Sequence, residues 1–167
     1  MPATYEPIAT TTLGSAAITI TFSSIPSTYT DLRLVLNGKA NAVTANALMT
    51  FNGDSGSNYS RTIITGTGSS ATSSRDTNTI FVHLTANTGL DPTYFSLRTA
   101  DIFSYAGSTY KTVLTEENAD YNGSGGVVRG VQLWRSTSAI NSITLTSNAS
   151  YMFGTGTTAT LYGIKAA

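Results

Sequence analysis

The stretch "RGVQLWRSTSAINSITLTS", Arg129–Ser147, contains the single tryptophan of the chain, and an arginine lies on each side of it. Residues 127–135 alternate between two sets of side chains, as a half-buried strand does. The "STSAIN" segment is rich in residues that favour turns, and "INSITLTS" alternates again. The stretch therefore predicts a β-hairpin, and the pattern is typical of an all-β fold.

The two faces of the first strand carry different side chains. One face is apolar in the middle and charged towards the ends, so we expect it to cover the core: Val127, Arg129, Val131, Leu133 and Arg135. Trp134 then lies on the opposite face with Gln132. There it can pack within the chain, contact another subunit or form a platform for a sugar, and packing within the chain is favoured.

The same alternation recurs along the whole chain. It predicts strands at 16–24, 30–38, 45–51, 59–65, 77–85, 93–106, 108–116, 127–135, 140–147 and 159–164, with a bulge or bend near Ala100. Polar segments at 66–76 and 117–126 are expected to be mobile loops. We therefore predict one domain over residues 1–167, an antiparallel, jelly-roll-like β-sandwich of about nine or ten strands. Residues 1–13 are expected to form an extended N-terminal arm.

The composition excludes several classes of function. Charged residues make up 11% of the 167, nine basic and nine acidic, which argues against binding nucleic acid through its phosphates. Hydroxyl side chains replace charge, with 30 Thr and 20 Ser. There is no cysteine, no apolar run of 18 residues and no secretory signal, so we expect a soluble protein made in a cytoplasm and no membrane partner.

No motif in the sequence indicates catalysis or a cofactor. His83 is the only histidine, so it cannot form a multi-histidine metal site, and an isolated strand histidine is favoured over a catalytic one. Asn52, Asp54 and Asn58 resemble a calcium loop only in part, because a single carboxylate is too few, and a turn is favoured. We therefore expect no enzyme activity, no metal and no cofactor.

Five side chains are candidates for an interaction surface. Tyrosines near loops and the single tryptophan with its neighbouring arginine are residue types that often contact sugars or proteins, which selects Tyr5, Tyr59, Tyr121, Trp134 and Arg135. The alternative for the tyrosines is that they cap strand ends with a solvated hydroxyl.

Four segments carry a resemblance to a known group of proteins: residues 3–38, "FNGDSGSNYS" (51–60), "LWRSTSAINSITL" (133–145) and the terminal "ATLYGIKAA" (159–167). The chain resembles, over nearly its whole length, small proteins encoded by tailed bacteriophages, many of them from aquatic hosts. The group is similar to virion structural proteins. The resemblance implies a role class and brings no catalytic residue with it.

The resemblance implies one of two roles on the virion. The first is a capsid decoration, or cement, protein that lies on the capsid surface, binds the major capsid protein and stabilises the head. The alternative is a tail-fibre or spike module that binds a host glycan. A single domain of low charge favours the head. We expect a homo-oligomer, most simply a trimer, because hexagonal capsid lattices present threefold junctions.

Overall fold

The computed structural model describes residues 4–42, 44–85, 89–148 and 151–166. Twelve β-strands form the described fold: β1 (Tyr5–Thr12), β2 (Thr19–Phe22), β3 (Asp31–Gly38), β4 (Ala47–Phe51), β5 (Tyr59–Gly66), β6 (Ala71–Thr79), β7 (Val82–His83), β8 (Ser96–Ile102), β9 (Lys111–Asp120), β10 (Gly125–Trp134), β11 (Ile143–Ser147) and β12 (Thr158–Ile164).

The strands form two antiparallel sheets of unequal size. The large sheet has eight strands in the order β1-β12-β3-β8-β9-β10-β5-β6, and the small sheet has four in the order β2-β11-β4-β7. The core contains residues from both sheets. The predicted all-β, antiparallel β-sandwich is therefore confirmed, with twelve strands in place of nine or ten. A jelly roll in the strict sense has eight strands in two sheets, so this chain has additional ones.

Strand β3 shows most directly how the sequence produces the fold. Leu32, Leu34 and Leu36 are fully buried and alternate with residues that are only partly buried. Leu34 pairs in register with Leu161 of β12 on one side and with Ala100 of β8 on the other. Three adjacent strands thus contribute apolar side chains to one layer of the core. The register is unbroken at Ala100, so the bulge predicted there is absent.

The face of β10 that covers the core is the opposite of the predicted one. Val128, Gln132 and Trp134 are buried, whereas Val127 and Val131 are exposed. The prediction was wrong because both faces of this strand carry apolar residues, so alternation alone does not tell them apart. The largest side chain occupies the interior, where it removes the most apolar surface from water.

The predicted hairpin between residues 127–135 and 140–147 does not exist. Strand β10 pairs with β5 and β9 in the large sheet, and β11 pairs with β2 and β4 in the small sheet. The segment between them crosses from one sheet to the other. Two alternating segments joined by a short turn suit a hairpin and a sheet-to-sheet corner equally well.

Both predicted loops are largely strand. Residues 71–79 form β6, an exposed strand paired with β5, in place of a loop over 66–76. The segment 117–126 is the end of β9, a tight turn and the start of β10. Asn122 and Gly123 adopt positive φ in that turn, and Tyr121 N–H donates to the Ser124 carbonyl at 2.8 Å. The predicted strand at 77–85 is divided between the end of β6 and the two-residue β7.

The N-terminal arm is part of the large sheet. Strand β1 pairs antiparallel with β12, from Tyr5 opposite Ile164 to Thr12 opposite Thr158. Pro7 lies in this strand, and the register shifts between Pro7 and Ala9. Residues 5–12 of the predicted extended arm thus form a strand that lies along the edge of their own sheet. Residues 1–3, including Pro2, lie outside the described part of the chain.

The face assignment of β10 predicts losses of stability of very different size for two truncations in this strand. Trp134→Ala removes a buried aromatic side chain and should lower the free energy of unfolding by about 3–5 kcal/mol. Val131→Ala removes a half-exposed side chain and should lower it by less than about 1 kcal/mol. Urea denaturation followed by circular dichroism measures both, and a larger loss for Val131→Ala would contradict the assignment.

Candidate interaction surface

The outer face of the large sheet, which points away from the small sheet, carries exposed aliphatic side chains. Gln132 and Trp134 of β10 point inwards, so the alternate residues of β10 and their neighbours point outwards. The aliphatic members are between 41% and 58% exposed: Ile64, Leu97, Leu114, Val127 and Val131. Val131 and Leu114 are direct neighbours in register, and contiguous exposed apolar surface on a single chain is typical of a binding site.

Three of these side chains, Ile64, Leu114 and Val131, border a shallow depression across β5, β10 and β9 that encloses about 440 Å³. We call it the outer trough, and its principal side chains are Thr62, Ile64, Leu114, Glu116, Arg129 and Val131. Val131 pairs in register with Leu114 on one side and with Thr62 on the other. A second depression, bordered by Leu133 and Arg75, shares Thr62 and Val131 with it, so the concave surface continues along β10.

The charges on this face occur as pairs. Arg129 contacts Glu116 at 2.6 Å on the neighbouring strand, and Arg33 contacts Asp101 at 3.0 Å further across the sheet. Burial raises the pKa of the Asp101 carboxyl above its ordinary value, although Arg33 acts in the opposite direction. The outer face is therefore balanced in charge, and its attraction for a partner depends mainly on apolar contact and shape.

Tyr59 and Trp134, two of the five candidate side chains, are in the core. Tyr59 is fully buried, and its ring stacks on that of Trp134 with a centroid distance of 6.3 Å. Burial raises the pKa of Tyr59 to about 12, so the hydroxyl stays protonated. It donates to the Asp54 carbonyl at 3.0 Å. The selection of both residues as surface contacts is wrong, because each fills space between the sheets, whereas the favoured interpretation of Trp134, packing within the chain, is confirmed.

The loop after β4 fixes this aromatic pair. The Asp54 carboxylate accepts hydrogen bonds from Trp134 Nε1 at 2.7 Å, from Gly56 N–H at 2.9 Å and from the Asn58 side chain at 3.0 Å. Burial opposes ionisation of Asp54, but these bonds outweigh it and hold the pKa below its ordinary value. The segment that resembled a calcium loop is therefore an Asx-type turn whose carboxylate is directed at the tryptophan.

Arg135 lies beside this cluster and contacts backbone rather than solvent alone. Its guanidinium donates to the Thr77 carbonyl at 2.8 Å and to the Ser57 carbonyl at 2.6 Å. It thereby links the end of β6 to the loop after β4. A contact role for Arg135 would compete with these bonds, so its structural role explains the residue better.

The remaining two candidates are accessible but far apart in the sheet. Tyr5 is 48% exposed at the start of β1 and packs edge-on against Tyr162. Tyr121, in the turn between β9 and β10, stacks on Tyr94 and donates its hydroxyl to the Gly89 carbonyl at 2.7 Å. The structure therefore joins Tyr59, Trp134 and Arg135 in one region, and it does not bring Tyr5 or Tyr121 to them.

His83 connects the two sheets through its backbone. The Gln132 side chain accepts from His83 N–H at 2.9 Å and donates to the His83 carbonyl at 2.7 Å, as a neighbouring strand would. Burial, with a smaller contribution from Arg61, lowers the pKa of the imidazole to about 4. The ring is therefore neutral at pH 7. This agrees with the interpretation of His83 as a strand residue.

In residues 4–42, 44–85, 89–148 and 151–166, no group of three or more histidine, aspartate or glutamate side chains could hold a metal ion. Over the same ranges, no helix is long and apolar enough to cross a membrane. A comparison with protein-family models, with curated proteins and with solved structures finds no match to this chain.

Sequence reasoning missed the residues of the outer trough. Val131 was assigned to the core face of its strand, and Ile64 and Leu114 were not selected as contact residues. One signal was available: β5, β9 and β10 each carry apolar residues on both faces, and a sandwich needs only one apolar face per strand. Such two-faced strands indicate either a buried strand or a sheet with a second contact surface.

The hydrogen bonds of Asp54 predict a measurable loss when the carboxylate is removed. Asp54→Ala leaves Trp134 Nε1 without an acceptor and should lower the free energy of unfolding by about 1–2 kcal/mol, allowing for partial screening by water. Asp54→Asn keeps an oxygen acceptor and should lose less. Thermal denaturation of the two variants at pH 7 measures this order, and equal stability of Asp54→Ala and the unmodified protein would contradict it.

The pKa of His83 predicts a loss of stability in mild acid. The folded-state pKa of about 4 lies below the unfolded value of about 6.5, so the contribution is complete above pH 6.5 and declines as the pH falls to 4. We expect about 2 kcal/mol over this range, reduced from the full value because water reaches part of the ring. Urea denaturation at each pH measures it, and His83→Gln should remove this component of the decline.

Proposed function

We propose that this chain is a structural protein of a tailed-bacteriophage virion, and specifically a capsid decoration protein that binds the major capsid protein. The single observation that carries the proposal is the outer face of the large sheet, where five aliphatic side chains remain exposed in one copy of the chain. A surface of this kind is stabilised when a partner covers it. The resemblance of the four sequence segments supplies the class of partner.

The size of the outer face suits a specific contact. Eight strands at a spacing of about 4.8 Å give a width of about 34 Å, and strands of eight residues give a length of about 26 Å. The resulting face, of about 900 Å², is close to the roughly 800 Å² that one partner contributes to a standard interface. Because hydrogen-bonded strands form this face, it changes little in shape on binding.

The composition supports a contact that does not depend on charge. The formal net charge is zero, and the outer trough pairs Arg129 with Glu116. Attraction through apolar surface and hydrogen bonds is less sensitive to salt than attraction between opposite charges. A decoration protein of this type would stay bound to the head over a wide range of ionic strength.

The alternative role, a tail-fibre module that binds a host glycan, has lost part of its support. Trp134 was the main candidate for a sugar platform, and it is 2% exposed. The stacked pair Tyr94 and Tyr121 remains, with Tyr94 40% exposed. Two tyrosines at one end of the sheet are a smaller basis for recognition than the whole outer face. The trimer expected on the capsid stays a prediction.

A binding experiment on phage heads tests the proposal. Purified protein is added to heads that lack it, from the phage that encodes the chain, and bound protein is measured after sedimentation. Val131→Lys places a charge in the outer trough and should weaken retention about tenfold or more. Thr21→Lys, on an exposed position of the small sheet, is the matched control and should bind normally.

Two results would contradict the proposal. Equal retention of Val131→Lys and Thr21→Lys would show that the outer face is not the contact surface. Immunogold labelling confined to the tail tip of intact virions would exclude a decoration role and favour the glycan-binding alternative.

A further inference from the structure

We infer that strand β6 pairs with β6 of a second copy of this chain, so that the two large sheets become one continuous sheet across a twofold axis. Strand β6 is the last strand of the large sheet and hydrogen-bonds to a neighbour, β5, on one side only. The backbone N–H and C=O groups on its other side are available to another strand. This self-association does not depend on the proposed role on the capsid.

The other sheet edges are protected and β6 is not. At the opposite edge of the large sheet, β1 contains Pro7, which has no N–H, and its register shifts between Pro7 and Ala9. In the small sheet the edge strands β2 and β7 have four and two residues. From Ala71 to Asp76, β6 keeps an unbroken register with β5 and contains no proline. We call residues 71–76 the open edge.

The charges of the open edge are held against its own sheet. Arg75 Nε donates to the Thr62 hydroxyl at 3.3 Å, across β5 on the outer face. Asp76 accepts from Arg61 on the inner face. Charged side chains normally protect an edge because an approaching strand would bury or oppose them. Here Arg75 and Asp76 are bound to side chains of β5. The other side chains of the open edge are small: Ala71, Thr72, Ser73 and Ser74.

A second copy fits this edge better than an unrelated strand. Antiparallel pairing about a twofold axis at Ser73 places Thr72 opposite Ser74 of the other copy, where two hydroxyls can hydrogen-bond. It also places Arg75 opposite the small Ala71, so the guanidinium can keep its bond to Thr62. No like charges are directly opposed. The formal net charge of zero leaves little repulsion between copies.

The far end of β6 limits the length of the contact. The register between β6 and β5 shifts beyond Asp76, where Arg135 binds the Thr77 carbonyl and the Asn78 side chain, so regular pairing along the open edge ends there. A contact of five or six residues that are mostly polar is a weak interface, with a dissociation constant on the order of 100 µM. An isologous contact of this kind closes after two copies, so we infer a dimer in solution rather than the trimer expected from the sequence.

Sedimentation velocity of the full chain between about 10 µM and 1 mM tests the inference. We expect a monomer at the low end and a growing dimer fraction at the high end. Ser73→Lys brings two ammonium groups together at the axis and should weaken association at least about tenfold. Ala9→Lys, an exposed position on the β1 edge strand, is the matched control and should leave it unchanged.

Amide hydrogen exchange provides a second measurement that does not depend on a variant. The N–H groups of residues 71–76 that point away from β5 should exchange quickly in dilute protein and more slowly as the dimer forms. A monomer at 1 mM, a trimer, or a dimer that Ser73→Lys does not weaken would each overturn the inference. Concentration-dependent protection on the outer trough without protection of the open edge would overturn it as well.

Discussion

The orientation of β10 is the constraint on which the rest of the structure depends. Side chains alternate between the two faces of a strand, so the burial of Trp134 determines the position of every other residue in β10. Gln132 then reaches His83 and joins the large sheet to the small one. Val131 and Arg129 necessarily point outwards, where they form the outer trough. One buried aromatic side chain thus produces both the link between the sheets and the exposed surface.

The sequence was sufficient to predict a strand and its buried face wherever one face is clearly the more apolar. The leucines of β3 alternate with less buried residues, and a strand was predicted over 30–38, one residue longer than the observed Asp31–Gly38. The sequence did not predict strand β6, which has no large apolar residue because neither of its faces is covered. Backbone hydrogen bonds to β5 hold that strand in place, and such bonds do not require particular residue types in an edge strand. The sequence also did not show that the chain crosses from the large sheet to the small sheet between β10 and β11, because the sheet that a strand joins is decided by contacts distant in sequence.

The candidate surface was predicted less well than the fold, for a physical reason. Tyr59 and Trp134 were selected because aromatic side chains are frequent in interfaces, but the same property makes them the best residues for filling a core. The polar groups of this pair did not indicate that both residues are buried. The indole N–H finds its acceptor, the Asp54 carboxylate, within the protein. The interior also contains Lys111, whose ammonium group binds the carbonyl of Gly107 at 2.7 Å. Burial of a polar group depends on its partners, and those partners are distant or irregular in sequence.

The unequal sheets explain why the edge strand β6 is left uncovered on both faces. A sandwich of equal sheets covers the inner faces of both and leaves polar outer faces. Here eight strands face four, and the large sheet is extended by β1 at one side and by β6 at the other. At one side the large sheet ends with β1, which contains Pro7. At the other side it ends with β6, whose outer row of backbone groups is available to another strand. The outer trough lies beside that open row, with Ser73 next to Ile64. A second copy paired at β6 would therefore place two outer troughs side by side, and a partner that covers one would meet the other.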